Sequence, residues 1–342
     1  PRCSLLCNVH VGAGAADRAA SLPLRTLREH YNAVVLAYGA DADRKLSLPG
    51  EDLRGVSAAR EFVEWYNGHP LAASRADSFG LGTCETAVVI GHGNVALDCA
   101  RMLCSTADQL RGETDVAEHA VQALADSAIR QVVLLGRRGV LQAAFTIKEL
   151  RELSKREGAT MALSAPPDAF GEAVMAEAAT ERPRKRLVEL MSTLHDPSLD
   201  ADGALDLPPP PAPGVVAPRA IRVQFQRVPT AFVGGGGSGG TAGNDPGSLR
   251  AVRMVRSRLC GEPGPGQQAE PLPETEHELA CGLALRAVGY KSSPMEGAPF
   301  AAARGVVPST DGGRVKGDGS HAGLYVTGWL KRGPSGVILT NV

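Results

Sequence analysis

The sequence predicts an α/β protein built on parallel strands, and three observations carry that prediction. Residues 31–40, 86–90 and 131–135 are short runs rich in Val, Leu and Ile, each closed by a glycine: Gly39, Gly91 and Gly136. Continuous apolar runs of this length suit strands covered on both faces, as strands of parallel sheets are. Residues 95–103 and 116–128 between the second and third runs are helix-compatible, and strand, helix, strand marks a parallel crossover unit.

Taken in order, residues 46–50 form a turn-rich crossing. Residues 58–67 predict a helix with Phe62, Trp65 and Tyr66 on its apolar side. Composition changes over residues 201–213, which hold Pro208 to Pro211, and over residues 234–247, which hold a run of glycines from Gly234. Polyproline and polyglycine cannot offset their ordering entropy with buried surface, so both stretches read as solvent-exposed flexible insertions. Beyond them, residues 279–287 predict a strand, 289–293 a turn, and 323–329 a strand ending at Gly328. Val337 and Ile338 open a helix.

The chain has 342 residues, 43% hydrophobic, enough for one large core or two domain cores. Lys and Arg total 36 against 37 Asp and Glu, a net charge of −1. A nucleic-acid binder usually carries a basic excess, so any basic docking site must be local. No apolar run approaches the roughly 18 residues of a membrane-spanning helix. The seven cysteines are scattered, and Cys3 and Cys7 have no second pair to complete a zinc or disulfide pattern; a reducing compartment is expected. The first residue is Pro1 and the last residues read as a helix just beginning, so a fragment of a longer protein is expected.

Directly after residues 86–90 comes Gly91-His92-Gly93-Asn94-Val95-Ala96-Leu97-Asp98, a G-x-G-x-x-A pattern at a strand-to-helix junction. Gly91 permits the tight turn, Gly93 lets a pyrophosphate approach the backbone, and Ala96 lets helix and strand pack closely. The helix N-terminus supplies N–H donors and a positive dipole. The competing reading is an ordinary βα turn. NAD-specific folds usually end the next strand in Asp or Glu, which accepts from the ribose hydroxyls. Here that strand ends in Gly136-Arg137-Arg138-Gly139, and two guanidinium groups can clamp a 2′-phosphate through charge-assisted forks. NADP(H) is therefore favoured over NAD(H), with a solvated turn as the alternative. The gap between the two motifs exceeds the usual spacing of about 20 residues, which an extra helical insertion near residues 105–128 explains.

These two motifs, with Phe145-Thr146-Ile147-Lys148-Glu149-Leu150-Arg151-Glu152, Arg182-Pro183-Arg184-Lys185-Arg186-Leu187, Gly289-Tyr290-Lys291-Ser292 and residues 328–338, resemble the adrenodoxin reductase family over nearly the whole chain. The resemblance implies two Rossmann-like nucleotide-binding domains of the glutathione-reductase type, an NADP domain inserted in a discontinuous FAD domain. Residues 1–46 and 292–342 would belong to the FAD domain and 47–291 to the NADP domain. It places NADP at His92, Gly93, Asn94, Val95, Arg137, Arg138, Glu149 and Gly336, and FAD at Trp329, Gly336, Val337 and Ile338. The family opens with its own glycine fingerprint for FAD, which nothing before Tyr31 matches, so the FAD domain is expected to be incomplete.

The implied reaction is hydride transfer from NADPH to FAD, then single-electron transfer to a [2Fe–2S] ferredoxin; no general acid–base pair is required. Arg151, Arg182, Arg184, Lys185 and Arg186 match family positions that receive an acidic ferredoxin, complementarity that chiefly raises association rate. The resemblance further implies a monomer of the mitochondrial matrix, without nucleic acid or a transmembrane segment and with room for peripheral membrane association. Two other readings stand beside it: a non-catalytic NADP-binding remnant, and the related reductase of glutamate synthase.

Overall fold

The structure, a computed structural model, describes residues 3–12, 21–199, 218–235, 247–317, 319, 321–334 and 336. Of the two expected insertions, residues 201–213 lie outside the described residues, as do 236–246 of the second. The chain forms two compact units, Lys45–Val288 and Pro1–Arg44 with Gly289–Val342.

The Lys45–Val288 unit is organised by a six-stranded sheet in the order Val56–Ala58, Leu283–Arg286, Thr86–Ile90, Gln131–Gly136, Arg219–Phe225, Ala159–Ser164. Every neighbouring pair is parallel. Thr86–Ile90 and Gln131–Gly136 are buried at every position. Side chains alternate between faces along a strand, so one apolar run feeds two cores. Ala87, Val89, Val132 and Leu134 enter the larger core, where helices cover the sheet. Val88, Ile90, Val133 and Leu135 enter a second core with Phe232, Leu249, Val252 and Met254. The latter residues come from an antiparallel sheet of Arg227–Gly234, Leu249–Cys260 and Gln268–Ala280, so this face is covered by strands and not by helices.

The helix Ala59–Tyr66 buries Phe62, Trp65 and Tyr66, and Phe79 meets the Phe62 ring edge-on at 5.2 Å. The expected helical insertion is two helices, Ala107–Glu113 and Glu118–Ala125. Arg219 donates to the carbonyls of Leu103 and Leu124 at the ends of two helices, where orphan acceptors and the negative dipole end favour a cation.

Three expectations need correction. Residues 279–287 are not one strand: Ala280 ends the antiparallel Gln268–Ala280, and Leu283–Arg286 then enters the parallel sheet. Gly282 makes the change possible, since a Cβ there would lie 2.5 Å from that of Cys84. Tyr290–Lys291 is not a turn but a short strand antiparallel to Ala42–Asp43. Of residues 323–329, Leu324–Val326 is strand and Trp329–Arg332 is already helix.

The other unit has its own small core of Leu24, Leu36, Val307, Val315, Leu324, Val326 and Leu330. Within it Val34–Leu36 pairs in parallel with Leu324–Val326, and His10–Val11 with Ser21–Leu22.

Candidate nucleotide-binding site

The glycine turn leaves the carboxyl end of Thr86–Ile90, between neighbours Gln131–Gly136 on one side and Leu283–Arg286 on the other. The chain reaches these two strands by connections running in opposite directions, so this is the switch point where open parallel sheets bind ligands. Gly91 has φ +130° and lies so close to the Ala287 carbonyl that a Cβ would overlap it. Gly93 caps the helix Asn94–Cys104, and nothing lies within 4 Å of where its Cβ would be. Its carbonyl accepts from Ala96 and Leu97. Among the described residues nothing accepts from the N–H groups of Gly93, Asn94 and Val95. Free donors, a helix dipole and open space fit a pyrophosphate.

His92 is turned away from that opening. Its ring meets the Phe225 ring edge-on at 4.4 Å and lies over Gly136, where any Cβ would overlap it. Its Nε2 is 3.3 Å from the Leu134 carbonyl. Burial lowers its pKa to about 4 against the weaker opposing effect of that carbonyl, so the imidazole is neutral near pH 7. Asn94 Oδ1 accepts from the Thr146 N–H at 2.8 Å. Thr146 in turn caps Ile147–Ser154 by accepting from Glu149 N–H. The two helix N-termini are thus tied together.

One turn behind them, Arg101 gathers three carboxylates: Glu149 at 2.6 Å, Asp98 at 3.2 Å and Glu152 at 3.7 Å. Burial raises the Asp98 pKa, Arg101 opposes the rise, and Glu149 and Glu152 add to it. Arg137 is exposed and Arg138 half-buried, and among the described residues neither guanidinium has a partner.

The basic group on Arg182–Leu194 is thinner than its sequence suggests. Arg184 pairs with Glu181 at 3.2 Å and Lys185 with Glu189 at 3.9 Å, which leaves exposed Arg182 and Arg186 unpaired among the described residues. Arg182 and Arg184 open this helix and so oppose its dipole, at a cost of about 0.3–1 kcal/mol each. Helix stability does not account for their placement. Arg151, half-buried on Ile147–Ser154, is also unpaired among the described residues.

In the other unit Trp329 stacks on Tyr290 with ring centroids 5.9 Å apart, and its Nε1 donates to the Gly336 carbonyl at 3.2 Å. Gly328, Gly333 and Gly336 all take positive φ, and Gly328 and Gly333 have no atom within 4 Å of a Cβ position. Open glycines flanking an aromatic pair fit a planar ring system. Val337 and Ile338 lie outside the described residues.

A cavity of about 560 Å³ lies at the opposite, amino ends of the strands, lined by Arg54, Thr86, Cys84 and Cys281. Ligands of open parallel sheets bind at the carboxyl ends, so this cavity is not the nucleotide site. Sequence reasoning missed Arg101, Gln142, Gln226 and Ser257. Two of them left a local sign: Arg101 in its three-residue spacing from Asp98 on one helix, and Gln142 in its three-residue spacing from Gly139, whose N–H it accepts at 2.9 Å.

No protein-family model matches the chain. The mitochondrial NADPH:adrenodoxin oxidoreductase of Arabidopsis thaliana is 39% identical over 346 residues, covering all of this chain and 66% of that protein. The Bos taurus protein of the same name is 40% identical over 345 residues, and 63% of it is covered. The NADPH-ferredoxin reductase FprA of Mycobacterium tuberculosis is 37% identical over 316 residues, 92% of this chain and 61% of FprA. FprA solved in complex with NADPH superposes with TM-score 0.75 at 36% identity, over 94% of this chain and 62% of that one. The chain thus spans somewhat under two thirds of the length of the relatives it matches. On this identity, sustained from end to end, the chain belongs to the family of NADPH:adrenodoxin oxidoreductases and NADPH-ferredoxin reductases.

Proposed function

We propose that the chain binds NADPH in the Lys45–Val288 unit and works in a flavoprotein that delivers its electrons, through FAD, to an acidic [2Fe–2S] ferredoxin. One observation carries the reading: Arg137 and Arg138, unpartnered among the described residues, end the strand next to a helix N-terminus whose first N–H groups have no acceptor among those residues. Backbone donors at Gly93, Asn94 and Val95 suit the pyrophosphate, and the arginines suit a 2′-phosphate. His92 contributes shape: neutral and packed on Phe225, it sets the floor of the turn and leaves its backbone to the ligand. Glu149 faces the nucleotide with its charge steadied by Arg101.

Residues 1–44 and 289–342 are assigned to the FAD-binding domain, with Trp329, Gly336, Val337 and Ile338 as its flavin contacts. Bound together, the nicotinamide and the flavin supply hydride transfer followed by single-electron steps. Arg151, Arg182, Arg184, Lys185 and Arg186 form the ferredoxin-docking face, with Arg182 and Arg186, unpaired among the described residues, to take the partner's carboxylates. Eukaryotic relatives are named mitochondrial, which supports work in the mitochondrial matrix. Calorimetric titration with NADP⁺ and NAD⁺ tests the central reading. An NADP⁺ preference of about tenfold or more is expected from one charge-assisted contact, and equal affinities overturn it.

A further inference from the structure

The loop that carries Arg137 and Arg138 is gripped at three consecutive residues, the first two of them by groups far away in sequence. The Arg137 carbonyl accepts from Ser257 Oγ at 2.7 Å. The Arg138 carbonyl accepts from the Gln226 N–H at 3.2 Å. The Gly139 N–H donates to Gln142 Oε1 at 2.9 Å. Gln142 continues outward, its Nε2 donating to the Gly264 carbonyl at 2.5 Å and to Gln267 Oε1 at 3.2 Å. The grips are also joined to one another, because Ser257 N–H donates to the Gln226 carbonyl at 3.0 Å. Ser257, Gln142 and Gln226 are all buried, at 4%, 9% and 8% exposure.

Two further observations show that the arrangement is held against opposing forces. Gln226 has φ +54°, a left-handed conformation that costs a non-glycine residue on the order of 1 kcal/mol and persists only where its surroundings enforce it. Leu259, two residues beyond Ser257, presses on Gly139 so closely that a Cβ there would lie 2.6 Å from its Cδ1. Ser257 and Leu259 belong to Leu249–Cys260, and Gly264 and Gln267 lie in the turn leading to Gln268–Ala280. The hairpin that covers one face of the sheet therefore also immobilises the arginine loop.

We propose that Ser257 and Gln142, with the strained Gln226 between them, are positioning residues that set specificity for the 2′-phosphate. The proposal rests on the assignment of that phosphate to Arg137 and Arg138. A forked guanidinium contact to a phosphate depends on where the loop backbone holds the Cα atoms, and long arginine side chains on a free loop lose affinity to ordering entropy. The hairpin removes that loss before the ligand arrives. The grips of Ser257, Gln226 and Gln142 end on the loop that carries the arginines and none bonds the N–H groups of Gly93 to Val95, so the pyrophosphate donors do not depend on these hydrogen bonds.

The test is calorimetric titration of the chain with adenosine 2′,5′-bisphosphate and with ADP, for wild type, Ser257→Ala, Ser257→Thr, Gln142→Leu and Arg138→Ala. Ser257→Ala and Gln142→Leu should each weaken the bisphosphate about 5- to 10-fold, one buried hydrogen bond's worth, and leave ADP unchanged. Ser257→Thr keeps the hydroxyl and should restore wild-type discrimination; general unfolding would lower both affinities and would not be rescued in this way. If wild type discriminates and Arg138→Ala does not, yet Ser257→Ala and Gln142→Leu discriminate like wild type, the hairpin's role is refuted. If wild type itself prefers neither ligand, the assignment of the phosphate to the arginines fails, and this proposal with it.

Discussion

Replacing Arg137 or Arg138 with Ala gives the sharpest test of nucleotide choice, and the structure makes the two unequal. Both guanidiniums are free of protein partners among the described residues, so neither substitution breaks an internal ion pair. A hydrogen bond to a charged group contributes about 1.5–3 kcal/mol, and 1.36 kcal/mol is a tenfold change in kcat/KM. Arg137 is exposed, where water and salt screen its charge over about 8 Å. Its loss should therefore sit at the lower end, about tenfold in kcat/KM for NADPH. Arg138 is half-buried and less screened, so its loss should approach a hundredfold. The assay is steady-state reduction of ferricyanide with NADPH and, separately, NADH as donor, with the flavin-loaded protein. The effect should fall on KM for NADPH and spare kcat, and NADH should show no change. Raising salt should shrink the Arg137 effect more than the Arg138 effect. Equal losses with both nucleotides would refute the assignment, because NADH has no 2′-phosphate to lose.

Charge reversal of Arg182 and Arg186 to Glu should abolish turnover through a [2Fe–2S] ferredoxin and leave ferricyanide reduction intact; salt-independent ferredoxin turnover in the wild type would sink the docking assignment. His92 should be felt in acid. Burial holds its pKa near 4 against an ordinary 6.5, so the unfolded chain takes up the proton first as pH falls. Stability is complete above pH 6.5 and declines toward pH 4, by roughly 3 kcal/mol. His92→Gln should flatten thermal stability across that window, and an unchanged slope refutes the buried neutral ring. Glu51 acts lower. Burial pushes its pKa up, but the Leu46, Ser47 and Leu48 N–H groups and Arg286 at 2.8 Å outweigh that and hold it below its ordinary 4.5. Its contribution is present above pH 4.5 and lost as pH falls below it, so Glu51→Gln should make denaturation less steep with acid there; a chain equally acid-sensitive without Glu51 refutes this.

The nucleotide turn was legible in sequence because its determinants are local. A buried strand needs a continuous apolar run, a tight turn needs Gly91, an approach to the backbone needs Gly93, and each requirement falls within a few residues. The same holds for Arg137 and Arg138 at the end of the next strand, and for the helix that buries Phe62 and Trp65. What sequence could not decide is which residues meet across long separations. Cys84 faces Gly282, so the strand expected at residues 279–287 divides between two sheets there, a break that periodicity cannot mark. The basic cluster at residues 182–186 loses Arg184 and Lys185 to helical neighbours, because residues three and four apart meet on one face. The meeting of Arg101 with Glu149 and Glu152 exists only once two helices have packed together, and the grip of Ser257 on a carbonyl 120 positions away only once the hairpin has closed over the loop. The sequence by itself determined that a dinucleotide turn and an arginine pair follow successive strands. Tertiary structure decided which charges stay free and which backbone is held still, because burial and distant hydrogen-bond partners are properties of the packed chain and not of any stretch of it.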